Sequence, residues 1–230
     1  MEQSTRKSLF EQIELVILTA ALMMILFNSL QISSIKSEIS LLGKASTGAA
    51  NVVASRSGSE NLTAVNVMPT GMPRSYGAEL GVSFDDVSVS NPQKADAVLS
   101  KLGALENQIS LSGDELQRYI TITQQISCEY CCGAKAITFE NGQPACGCAH
   151  SAAMRGLTKY LVKNHPNDYS DDQILEELGK WKTLFFPDVM TQKAKVLQDK
   201  GIELNYINLA SNKYRGIEQG SSGGSMVGGC

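Results

Sequence analysis

Residues Cys128 to His150 read CEYCCGAKAITFENGQPACGCAH, and they hold five of the six cysteines and one of the two histidines in a chain of 230 residues. Cys128, Cys131 and Cys132 make a C-x-x-C-C group, and Cys146, Cys148 and His150 make C-G-C-A-H. Between them lie two short runs around Asn141-Gly142. Asn-Gly is the strongest local signal for a type I′ hairpin turn, because both residues tolerate positive φ. A hairpin there places the two sulfur groups side by side, so this stretch is expected to carry a thiolate-rich metal or redox site on a small β-hairpin.

The flanking sequence is helical. Asn91-Pro92 is a helix start, with Asn as N-cap and Pro at the first helical position. Ala95, Val98, Leu99 and Leu102 then form an apolar stripe, and Gly103 is expected to stop it. Ser112-Gly113-Asp114-Glu115 reads as a capping box for a helix reaching about Gln125, with Leu116, Tyr119 and Ile120 inward. A third helix follows His150, with Met154, Leu157 and Leu161 on one face and an end at His165-Pro166. Ser170 and Gln173 form a further capping box for a helix bearing Ile174, Leu178, Trp181 and Phe185. Residues 188–200 make another helix, closed by Gly201. IELNYINL alternates as a strand does. His165 has no companion in the sequence and reads as a surface residue. The stretch from Val65 to Asn91, with Pro69, Pro73 and several glycines, reads as extended.

The amino-terminal part is different in kind. Leu15 to Phe27 is an unbroken apolar run behind Arg6 and Lys7. Thirteen such residues are short of the roughly 20 that span a hydrocarbon core, and Ile13 to Ile32 reaches that length only by including Glu14, Asn28, Ser29 and Gln31. An uncleaved signal anchor is the leading reading. A cleavable signal peptide and a pilin-like start at Phe10-Glu11-Gln12-Ile13-Glu14 are the alternatives; Leu9 stands where a pilin-like subunit has Gly or Ala. All three place the rest of the chain outside the cytoplasm. The Asn61-Leu62-Thr63 sequon marks Asn61 as a glycosylation site consistent with that placement. Ile32, Ile35, Ile39 and Leu42 continue the apolar stripe, so residues 10–44 are a candidate surface for self-association.

The organisation expected is therefore a cytoplasmic N-terminus at 1–11 and a transmembrane or signal-anchor helix at 12–32. A juxtamembrane helix and flexible stalk occupy 33–64. The Cys-cluster domain follows at 65–215, and a Gly/Ser-rich mobile tail at 216–230 ends in Cys230. The fold class is mainly α with a small β-hairpin (α+β) behind an N-terminal transmembrane helix. The formal net charge of −3 gives no basic face for nucleic acid. No Walker loop, G-x-S-x-G or H-E-x-x-H is present, which leaves hydrolase chemistry without a signature.

Candidate ligands are Cys128, Cys131, Cys132, Cys146, Cys148, His150 and the terminal Cys230. Zinc suits four thiolates, or three and an imidazole. Copper(I) suits a sulfur-rich site of low coordination number, and the donors present could hold one or two ions. Iron–sulfur ligation is chemically open but is the weaker fit to an exported domain. The competing class is a thiol–disulfide redox protein, because C-x-x-C is also the oxidoreductase spacing. A filament subunit built on the N-terminal helix is the third.

CEYCCGA, ACGCAHSAAMRGLTKYL, QILEELGKWK and the terminal MVGGC resemble a group of membrane-anchored archaeal proteins, over roughly residues 65–230. The C-G-C-A-H portion is also distantly similar to bacterial lipoproteins named for a P-C-Y-C-G-C motif, although the leading proline is absent. The resemblance implies an exported, anchored domain with a metal role and names no reaction.

Overall fold

A computed structural model describes residues 62, 63, 66–219 and 227. The predicted N-terminal helix, the stalk as far as Asn61, and Cys230 lie outside the described residues. Among the described residues no helix is long and apolar enough to cross a membrane.

The central element is a helix that the sequence caps with a cysteine. Seven helices are described: α1 (Tyr76–Leu80), α2 (Pro92–Gln108), α3 (Gly113–Thr123), α4 (Ala149–Asn164), α5 (Asp171–Phe185), α6 (Pro187–Asp199) and α7 (Tyr206–Ala210). Helix α4 packs against α2, α3 and α5, and α5 in turn packs against α6 and α7. Apolar residues on several sides of α4 explain its position: Ala153, Met154, Leu157, Leu161 and Val162 are all buried. Burying each large aliphatic side chain contributes about 1.5–3 kcal/mol.

Two glycines set the helix crossings. A Cβ on Gly156 would stand 2.0 Å from the Leu102 carbonyl oxygen, so α2 and α4 touch backbone to backbone. A Cβ on Gly179 would stand 2.6 Å from the Tyr206 carbonyl oxygen, which does the same for α5 and α7.

Several boundaries differ from the sequence reading. Helix α2 does not stop at Gly103 but runs on to Gln108, because Gly103 faces Ala152 of α4 and helps the helices approach. Ser112 makes no side-chain cap bond, and α3 ends at Thr123. The Ser170–Gln173 capping box is present in both directions. IELNYINL is not a strand. Asn205 caps α7 by accepting a hydrogen bond from the Asn208 amide at 2.8 Å, and that local bond overrides the alternation.

The glycine- and proline-rich stretch before α2 is also more structured than expected. Tyr76 on α1 donates to Glu177 and accepts from the Trp181 indole, at 2.7 and 2.9 Å, while Phe84 packs on the Trp181 ring at 4.8 Å. These aromatic contacts dock the segment on α5.

The mainly α expectation is borne out, but no strand is present among the described residues, so the β part of the α+β expectation gives way to irregular connections between helices. The hairpin survives only as a single antiparallel bridge, Thr138 to Pro144. The turn is not type I′. Positive φ falls on Gly142 at 79° and not on Asn141. The Gly142 amide donates to the Phe139 carbonyl and Asn141 Oδ1 accepts from the Gln143 amide. Such a turn, closed by a left-handed glycine, joins three-residue hairpins.

His165 is buried rather than a surface residue. Its Nδ1 and Nε2 lie 2.9 Å from Asp168 and Glu79. Burial of the ring works against the charged form, but hydrogen bonds to Asp168 and Glu79 outweigh it and raise the pKa above the ordinary histidine value. A raised folded-state pKa gives stability that is complete below the unfolded value of about 6.5 and is lost as pH rises through the folded value. Hydrogen bonds from Tyr160 and His165 hold the Glu79 carboxyl below its ordinary value. Thermal melts of wild type and His165→Gln are therefore expected to differ most near pH 5.5–6 and to converge in alkali, with the gap narrowed by salt. A pH-independent gap would contradict this account.

Candidate metal centre

The sulfur-bearing segment between α3 and α4 has little regular structure of its own, so its position depends on what grips it. The first grip is at its base. Ile126 bridges to Ser211, the Ile137 amide donates to the Ile126 carbonyl at 3.0 Å, and Asn212 bonds the carbonyls of Gln124, Gln125 and Lys135. Arg215 donates to the carbonyls of Gly133 and Ala134. The C-terminal part of the chain thus closes the loop.

The second grip is Arg155 on α4. Its guanidinium makes two bonds to Glu106 of α2, at 2.6 and 3.0 Å, and two more to the carbonyls of Ile137 and Cys146, at 3.1 and 2.9 Å. Arg155 is 2% exposed.

The third grip is a buried charge cluster. Glu129 adopts the left-handed conformation, φ 62°, which costs a non-glycine residue about 1–2 kcal/mol. Its carboxylate is held by the Gly216 amide at 2.8 Å and Lys182 at 3.0 Å, with Lys193 3.7 Å away. Burial pushes Lys182 down to about 8, against the pull of Glu129. Glu218 receives a hydrogen bond from Tyr130 and sits 3.8 Å from Lys193, so the expected mobile tail contributes a buried carboxylate here.

Cys148 is the N-cap of α4; its sulfur accepts from the Ser151 amide at 3.4 Å. Helix N-termini stabilise thiolates. The Cys128 sulfur lies 3.5 Å from it and is wholly buried. A hydrogen bond from Cys128 holds the Cys148 thiol far below its ordinary pKa, opposed by desolvation and aided by Ser151. The same bond, together with burial, drives Cys128 upward.

His150 is fully buried, with the Phe185 and Phe186 rings each 5.0 Å away. Its Nε2 is 2.7 Å from the Val227 carbonyl. A carbonyl only accepts, so Nε2 carries the proton, and in the neutral ring Nδ1 keeps the lone pair. Metal-binding histidines are oriented by such a bond on the second nitrogen.

The donors of Cys128, Cys131, Cys148 and His150 all lie within 4.8 Å of one another. Two thiolates on one tetrahedral zinc stand about 3.7 Å apart, given Zn–S near 2.3 Å. The 3.5 Å separation of Cys128 and Cys148 is close to that. The candidate ligands among the described residues fall into two overlapping groups, however. Cys132 and Cys146 are joined in a disulfide, which takes both from the ligand set in this oxidation state. It spans 14 residues, crossing from one cysteine group to the other, and such a link contributes about 3 kcal/mol in the chain-entropy account. A second, overlapping group is Cys132, Cys146 and Cys148, again within 4.8 Å.

No protein-family model, curated protein or solved structure matches the chain. The site therefore rests on its own geometry. Cys131 is also disulfide-bonded, which leaves Cys128 and Cys148 as the free thiols among the described residues. As the site stands, two sulfurs and one imidazole converge, and Cys131 adds a fourth donor once reduced.

The grips were not read from the sequence. One signal was there for the lysine: Lys182 stands four residues after Leu178, inside the apolar stripe of α5. A charged residue in a buried stripe requires a partner. Arg155 likewise follows Met154 on the buried side of α4.

Proposed function

We propose that this chain binds a thiophilic transition metal, zinc or copper(I), at Cys128, Cys148 and His150, with Cys131 as the fourth donor when its sulfur is reduced. The observation that carries the reading is the convergence of these four donors within 4.8 Å, on the N-terminus of α4 and the loop that three separate anchors hold. Two sulfurs and an imidazole suit copper(I), which accepts three ligands, and four donors suit zinc. A site that gains or loses a ligand with oxidation suits metal handling or sensing better than a permanent structural role. The chemistry asked of the protein is binding and release, without catalysis. Carriage on an N-terminal membrane helix, with the domain outside the cytoplasm, belongs to the same proposal, as does self-association through residues 10–44.

The test is metal content and affinity of the full chain, purified without chelator and then reduced. One equivalent of zinc or copper(I) is expected for each chain. Removing a ligand by Cys148→Ser or Cys128→Ser should weaken binding by more than the roughly 10–100-fold seen for loss of an outer-shell partner. His150→Gln should weaken it too, whereas Cys132→Ser should leave the affinity of the reduced protein within a few-fold. Reduced, folded protein that takes up neither metal at micromolar concentration would sink the reading.

A further inference from the structure

Four cysteines lie at three depths, one exposed, two nearly buried and one wholly buried. Cys132 is exposed, Cys146 is 6% exposed, Cys148 is 8% exposed and Cys128 is 0% exposed. The outer two are a disulfide and the inner two are thiols. Cys148 lies between the pairs: its sulfur is 3.5 Å from that of Cys128 and within 4.8 Å of both disulfide sulfurs. It is the one cysteine common to both donor groups.

We propose that this domain carries out intramolecular thiol–disulfide exchange, passing an electron pair between the buried Cys128/Cys148 dithiol and the surface Cys132–Cys146 disulfide.

In the first step the Cys148 thiolate attacks Cys132 Sγ. The Cys132–Cys148 bond forms, the Cys132–Cys146 bond breaks, and Cys146 leaves as the thiolate. Attack on Cys146 instead would close a ring through Gly147 alone, a shorter and tighter loop. In the second step Cys128 gives its proton to the Cys146 thiolate and attacks Cys148 Sγ. The Cys128–Cys148 bond forms, and Cys132 leaves as a thiolate at the surface and takes a proton from water. The inner dithiol is oxidised and the outer disulfide is reduced by the same two electrons, so no outside oxidant is needed. An external protein or small-molecule disulfide then meets Cys132, the one exposed sulfur of the four.

The arrangement suits exchange in other ways. Thiolate attack on a disulfide needs a sulfur within reach and a thiolate held in place, and the α4 N-terminus supplies the second. Gly147 has no neighbour within 4 Å of where a Cβ would stand, which gives the Cys146–Cys148 link room to shift. The exchange also bears on the proposed metal site, and rests on that reading only here: a Cys128–Cys148 disulfide removes two of its ligands.

The experiment equilibrates the full chain in dithiothreitol buffers of graded potential, quenches with acid, alkylates, and maps the disulfides by mass spectrometry. Chains with one disulfide among these four cysteines are expected to contain both Cys132–Cys146 and Cys128–Cys148. In Cys128→Ser the second step is blocked, and Cys132–Cys148 should accumulate above its wild-type level. Finding Cys132–Cys146 alone at every potential, with Cys128 and Cys148 always alkylated, overturns the proposal, and the wild-type map decides this even where the variant fails to fold. Saturating zinc should lower the Cys128–Cys148 fraction about tenfold or more, since the proposed metal site needs both Cys128 and Cys148 as free thiolates. Exchange in a protein that binds no metal upholds this inference and removes the metal reading. Metal binding with no exchange does the reverse.

Discussion

Arg155→Met is expected to destabilise the domain by about 3–5 kcal/mol, the range for breaking a buried ion pair from one side. The guanidinium joins three pieces: α4, which bears it; Glu106 near the end of α2; and the carbonyls of Ile137 and Cys146 on the sulfur-bearing loop. Removing it leaves the Glu106 carboxylate, 12% exposed, without its counter-charge. It also leaves the Cys146 carbonyl without its donor, at about 1–3 kcal/mol if no water enters, while the Ile137 carbonyl keeps the Ala145 amide. Urea unfolding measures the sum. Arg155→Lys separates charge from geometry. One ammonium cannot reach a carboxylate and two carbonyls in the planar fork that Arg155 uses, so lysine should recover only part of the loss. Metal affinity should fall in parallel, because the Cys146 carbonyl is held two residues from Cys148. A stable Arg155→Met protein with unchanged affinity would show that the loop is held by its other anchors.

What could be read in the sequence follows the distance over which the deciding interaction acts. Helix stripes and the Ser170–Gln173 box depend on residues a few positions apart, and they were legible. So was the gathering of sulfurs, because a tight turn at Asn141-Gly142 is a local event even though its type differs. The strand expected at IELNYINL failed for a related reason: two states compete locally, and the Asn205 cap decides between them. Contacts between distant segments were out of reach. Glu129 lies far along the chain from Lys182 and Gly216, and nothing near Cys128 signals that its neighbour will be held left-handed by them. The pairing of Cys132 with Cys146 was hidden because clustered cysteines suggest linking near neighbours, whereas the bond here crosses between clusters. His165 looked solitary because one of its two partners, Glu79, lies on α1.

Gly156→Ala is expected to cost more than the roughly 1–3 kcal/mol of an ordinary overpacked core substitution. The added methyl would sit 2.0 Å from the Leu102 carbonyl oxygen and 3.1 Å from the Glu106 amide nitrogen. Both obstacles are backbone, so no rotamer change relieves them and the two helices must separate. Separation loosens Leu99, Leu102, Met154 and Leu157 at once, and it draws Glu106 away from Arg155. Gly103→Ala supplies the contrast on the facing helix. Its nearest neighbour would be the Ala152 Cβ at 3.6 Å, an ordinary contact, and alanine in a helix interior gains about 0.5–1 kcal/mol over glycine. Thermal melts should therefore move in opposite directions for the two variants, with the same residue change made on either side of one crossing. Helix propensity favours alanine at both positions, so a drop confined to Gly156→Ala isolates the backbone contact as its cause. Equal shifts in both would mean that α2 and α4 can slide apart freely, and the close crossing would then not be what fixes the α4 N-terminus and Cys148 beneath the loop.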